Sequence, residues 1–110
     1  MAKSVVLRQT YDEGGSRHLS ATLTSAGDLN IEGQDLGSAV ELFFGEGFTE
    51  YEYALTVRAV DLQSLRNALG ATGDLLSALQ IHFSNPTAAD PRSFLEAHSV
   101  RYEFWSRIGD

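Results

Sequence analysis

The hydrophobic period of this 110-residue chain changes near residue 60 from two to 3.6, and that change limits the folds open to it more than any single motif does. Before it, apolar residues recur at every second position, the spacing of strands with one buried face; after it they recur at helical spacing. Residues 48–59 show the first pattern most clearly, with Tyr51, Tyr53, Leu55 and Val57 on one side and Glu50, Glu52, Thr56 and Arg58 on the other. Residues 4–11 are rich in β-branched side chains, and 18–24 alternate Leu19, Ala21 and Leu23 with polar neighbours. The turn signal Asp12-Glu13-Gly14-Gly15-Ser16 between them predicts a hairpin. A third, short strand is expected over 29–32, ending where Gly33 breaks the alternation. Residues 34–47 hold Val40, Leu42, Phe43 and Phe44 among glycines and read as a helical turn or two followed by a loop.

Past residue 60, Asp61 is placed to cap a helix carrying Leu62, Leu65 and Leu69, with Gly70 where a terminating glycine belongs. A second helix is expected from Thr72 or Asp74, with Leu75, Leu76, Leu79, His82 and Phe83 on one stripe and Pro86 blocking its continuation. Asp90-Pro91 pairs a cap with a proline at the first helical position and opens a third helix through Phe94, Leu95 and His98. Alternation returns over 100–105, so the chain is expected to rejoin the sheet. Strands first and helices later predict the α+β class: an antiparallel sheet of four or five strands with two to three helices packed on one face. At this length residues 1–110 are expected to form a single domain around one core.

Composition removes several chemistries. With no cysteine there are no disulfides, thiolate metal sites or cysteine nucleophiles. The opening residues carry too short an apolar run for a signal peptide, and no run approaches the roughly 18 residues of a membrane span. A cytoplasmic chain with no membrane partner is therefore the expectation.

Charge is distributed unevenly. Eight Lys and Arg face fifteen Asp and Glu, yet between His18 and Val57 there is no Lys or Arg, while Asp28, Glu32, Asp35, Glu41, Glu46, Glu50 and Glu52 all fall there. The formal net charge of −7 thus belongs to one stretch, which disfavours direct contact with a nucleic-acid backbone. Candidate chemical motifs fail on inspection. Asp28-Leu29-Asn30-Ile31-Glu32-Gly33 imitates half a calcium loop, but position twelve would be Ala39. Gly45-Glu46-Gly47-Phe48-Thr49-Glu50 opens like a phosphate loop and ends in acid before a strand. His18, His82 and His98 share no ligand spacing, and Glu50 with Glu52 reads as a solvated strand face. No catalytic, cofactor-binding or metal-ligating residue is assigned.

The aromatic residues are more informative. Phe43, Phe44, Phe48, Tyr51 and Tyr53 crowd into eleven positions inside the cation-free stretch. Core filling is the plainer reading of them. If some are exposed, Glu41, Phe44, Glu46, Phe48, Glu50 and Glu52 form an acidic and aromatic surface suited to a basic partner protein. The C-terminal Tyr102, Phe104 and Trp105 are expected to dock and not to trail in solvent.

The run FFGEGFTEYEYALTV, the Leu-rich helix pair and FLEAHSVRYEFWSRIGD together resemble a group of small uncharacterised bacterial proteins, familiar from actinobacteria, with YEFWSR as the most distinctive string. The resemblance implies no activity and carries over no site residue. The functional expectation is a non-enzymatic protein-binding module of the immunity-protein or inhibitor kind, because an enzyme built to hold phosphates presents cations. Two alternatives stand beside it: a small-molecule binder or enzyme with a pocket lined by Tyr51, Tyr53, His82 and Trp105, and a structural homodimer.

Overall fold

The computed structural model of the protein describes residues 2–84 and 90–109. Five antiparallel strands pair in chain order: β1 (Lys3–Asp12), β2 (Gly15–Leu23), β3 (Leu29–Leu36), β4 (Glu50–Val57) and β5 (Glu103–Gly109). A short helix, α1 (Ser38–Phe44), joins β3 to β4; after a 3-10 turn at Ala59–Asp61 come α2 (Leu62–Leu69), α3 (Leu75–Phe83) and α4 (Pro91–Ala97). The α+β class and the antiparallel sheet follow the hydrophobic periods, and no helix among the described residues is long and apolar enough to cross a membrane.

Strands β2, β3 and β4 bury alternate residues against the helices, whereas β5 buries none. Leu19, Ala21, Leu29, Ile31, Leu55 and Val57 meet Leu65, Leu75, Leu76, Leu79, Phe83, Phe94 and Leu95 in one core. In β1 the register slips between Val6 and Arg8, so Leu7 is the extra residue of a bulge and turns into the core. Arg8 then donates from Nε and Nη2 to the carbonyl oxygen of Phe83, at 3.2 and 3.0 Å, and closes the end of α3. The caps of α3 and α4 are those the sequence marks: Asp74 accepts from the backbone N–H of Ser77 at 2.9 Å and Asp90 from that of Ser93 at 3.0 Å. The predicted stop at Pro86 lies outside the described residues.

Three local expectations are corrected. Asp61 precedes α2 but makes no side-chain cap, because it ends the 3-10 turn with helical backbone angles where a capping residue takes extended ones. Gly33 does not end β3; the strand runs on to Leu36 because β2 and β4 pair with it on both sides. Gly33 is there for space: a Cβ at this position would lie 2.1 Å from Cζ of Tyr53, whose ring covers it. The last strand begins at Glu103 and not at Val100, since Val100 is buried under α4 before the chain reaches β4.

Candidate functional site

The registers sort the side chains onto two faces. Arg17 of β2, Asp35 of β3 and Tyr51 of β4 are successive partners on the helix side, and Leu19, Gly33 and Tyr53 form the next row. Helices α2, α3 and α4 cover one end of this face and α1 overhangs the other. Between them runs a trench floored by Arg17 and Asp35. Under α1 it widens to a cavity of about 410 Å³ walled by Val40, Phe43, Phe44 and Tyr51; towards Asp90 and Pro91 it narrows to about 210 Å³ beside Arg8 and Tyr53. Burial raises the Asp35 carboxyl above the usual range, and the Arg17 guanidinium opposes that shift. The Tyr53 phenol is pushed up to about 12, first by burial and then by the charge of Asp35.

The overhang is fixed by close backbone contact. The N–H of Ala39 donates to the carbonyl of Gly14 at 3.0 Å, and a Cβ on Gly15 would lie 1.7 Å from the carbonyl oxygen of Leu36. Only glycine lets the β1–β2 turn lie against the entry to α1. This contact brings Asp12 and Glu13 to the pole that carries Glu41 and Glu46. Within α1, Val40 faces the sheet and is buried; Phe44, one helical turn on, stacks on Tyr51 with ring centroids 5.0 Å apart. Leu42 points the other way and is 90% exposed; Phe43, whose ring meets that of Phe44 edge-on at 5.0 Å on the rim of the cavity, is 83% exposed. At 100° per residue Leu42 falls on the side opposite Val40, while Phe43, three residues on from Val40, falls at the edge of the inward stripe and lines the mouth of the cavity with most of its ring in solvent.

The reverse face of the sheet carries no helix. There Glu50 and Glu52 lie side by side. Gln34 Nε2 donates to an oxygen of each at 3.4 Å, and Arg107 Nη2 stands 3.4 and 3.6 Å from the same two oxygens. The shared environment splits the pair: hydrogen bonding between the two lowers Glu50 and raises Glu52. A shallow depression of about 470 Å³ beside them reaches His18, Glu32 and Trp105.

No protein family, curated protein or solved structure matches the chain.

The six expected surface residues therefore occupy one end of the molecule but not one face. Glu41, Glu46 and Phe48 stand on or just after α1, and Phe44 turns inward onto Tyr51, while Glu50 and Glu52 look out from the opposite side of the sheet. Core filling, the plainer expectation for the aromatic run, fails at Phe43 and at Phe48, which is 44% exposed. The expected pocket of Tyr51, Tyr53, His82 and Trp105 does not assemble. The two tyrosines line the trench, but Trp105 is on the reverse face, and His82 packs against Phe83 and Phe94 with centroids 4.7 and 4.6 Å away. The stretch without Lys or Arg also receives cations from elsewhere: Arg58 pairs with Asp28 at 3.4 Å, Arg107 with Glu50 and Glu52, and Arg17 lies opposite Asp35. Sequence reasoning missed Leu42, Arg17 and Asp35. The four-residue spacing from Val40 to Phe44 signals the outward turn of Leu42; nothing local signals the pairing of Arg17 with Asp35. Among the described residues no three His, Asp or Glu side chains are grouped to hold a metal ion.

Proposed function

We propose that the chain is a protein-binding module whose contact surface is the α1 pole, with Leu42 and Phe43 as anchors and Asp12, Glu13, Glu41 and Glu46 as an acidic surround. The observation that carries this reading is the near-complete exposure of two large apolar side chains on one short helix, held rigidly by the Gly14–Ala39 contact. Aromatic and aliphatic anchors supply affinity by filling a partner's pocket, while the surrounding carboxylates steer a basic partner and set the salt dependence. An inhibitor or immunity protein directed at a cationic, nucleic-acid-handling enzyme fits that polarity.

The test compares tagged wild type with a Leu42→Ser/Phe43→Ser variant by cross-linking in the protein's own cells. A basic protein held by wild type, lost by the variant at unchanged melting temperature and released by raised salt is the expected result. Identical partner sets for the two proteins overturn it.

The trench favours a second reading. Its 410 Å³ section is the size of a ligand site and joins aromatic walls to the oppositely charged Arg17 and Asp35. A small molecule that raises the melting temperature of wild type but not of Asp35→Asn would support this reading over the first.

A further inference from the structure

We infer that the chain forms a two-fold symmetric dimer by antiparallel pairing of β5 with β5 of a second copy, joining two five-stranded sheets into one. This surface is separate from the α1 pole and does not depend on the function proposed for it. The two edges of the sheet differ. β1 is guarded: its register is broken at Leu7, and Gln80 Nε2 of α3 donates to the carbonyl oxygen of Val6 at 3.1 Å. β5 pairs with β4 without a slip from Glu103 to Gly109, and six of its seven residues are exposed, among them Phe104, Trp105 and Ile108. Such an edge is a template for another strand.

Its side chains indicate which strand. Glu103, Trp105 and Arg107 share the reverse face, two residues apart. A dimer that keeps both helical layers on one side pairs residues of like face. If the axis passes through Trp105, Glu103 of each copy stands opposite Arg107 of the other, and the two indoles meet at the centre. Moving the axis to Glu103 or Arg107 sets like charges face to face, and moving it to Phe104 or Ser106 leaves Glu103 opposite no base. One register alone is therefore self-complementary. It also continues the alternation already present within each sheet, where Arg58 holds Glu103 at 3.1 Å and Glu52 lies beside Arg107 at 3.6 Å. Signs then alternate across the seam from Arg58 to Glu103 to the second copy's arginine and its Glu52. The strand contributes one acid and one base, so the described seam is neutral although each chain carries −7.

Sedimentation over roughly 10 μM to 1 mM, the range of weak to moderate strand association, should show wild type moving from the 12.0 kDa chain towards twice that mass. Emission of the single Trp should shift to the blue over the same range. Glu103→Arg and Arg107→Glu each place two like-charge pairs across the seam and should each weaken the dimer by about tenfold or more. Mixed together, the two variants present opposite charges at both positions and should recover the dimer. Trp105→Glu, which sets two carboxylates on the axis, provides a variant that leaves every ion pair within the chain intact, and it too should remain at the mass of one chain. Wild type that stays monomeric throughout, a dimer untouched by Trp105→Glu, or mixed variants that fail to associate would each overturn the inference.

Discussion

A side chain at position 33 would displace the Tyr53 ring that covers it, so Gly33→Val tests the floor of the trench directly. The valine methyls have no room without moving Tyr53, and the variant should lose about 1–3 kcal/mol in urea unfolding. Its second consequence is a titration. With its ring displaced into solvent, the Tyr53 phenol should fall from about 12 towards its ordinary value of 10.0. Because the folded protein holds this proton after an unfolded chain has released it, stability drops as pH rises through that interval, and the variant should lack this alkaline loss. Asp90 works in the opposite sense. Burial pushes its carboxyl up, but the N–H and hydroxyl of Ser93 and the N–H of Arg92 outweigh it, and the net shift is downward. The stability it contributes is present above the usual aspartate range and is lost as pH falls through the lowered value. Asp90→Ala should cost about 1 kcal/mol at neutral pH, and the difference from wild type should close in acid. Asp90 was legible as a cap because a cap is a local event within three residues. The role of Gly33 was not, since the ring that needs the space arrives from position 53.

Among the elements, α1 and α3 show how similar apolar content serves different ends. Both are short, but α3 is buried along Leu75, Leu76, Leu79 and Phe83, whereas α1 buries Val40 alone. Leu79→Ala should therefore cost 2–5 kcal/mol, while Leu42→Ser should shift stability by no more than about 0.5 kcal/mol. Denaturant titration of the two variants checks both values. The order of elements was readable because alternation, helical stripes, caps and Gly70 are written within short windows. The limits of β3 and β5 were not. Pairing on both sides carries β3 through a glycine that weakens a strand by propensity, and β5 waits until Val100 has been buried under α4.

Over the whole molecule, 43 Å in its longest dimension, charge and aromatic residues are arranged by topology. Joining the β1–β2 turn to α1 adds Asp12 and Glu13 to a pole that already holds Glu41 and Glu46, and strand pairing returns Arg17, Arg58 and Arg107 to acids far away in the chain. Coulombic interaction depends on distance in space, and contacts of this kind join positions from 18 to 57 residues apart. The acidic stretch is consequently balanced along the sheet and left acidic at the α1 end. The sequence by itself determined the fold class, the order of strands and helices and the parity of each strand, because periodicity and capping act over one or two turns of chain. The tertiary structure alone decided which aromatics meet solvent, which carboxylates receive a cation, and that one edge strand is left open with a self-complementary pattern. Those outcomes depend on register and on which side of the sheet α1 returns, and neither is encoded in any short window.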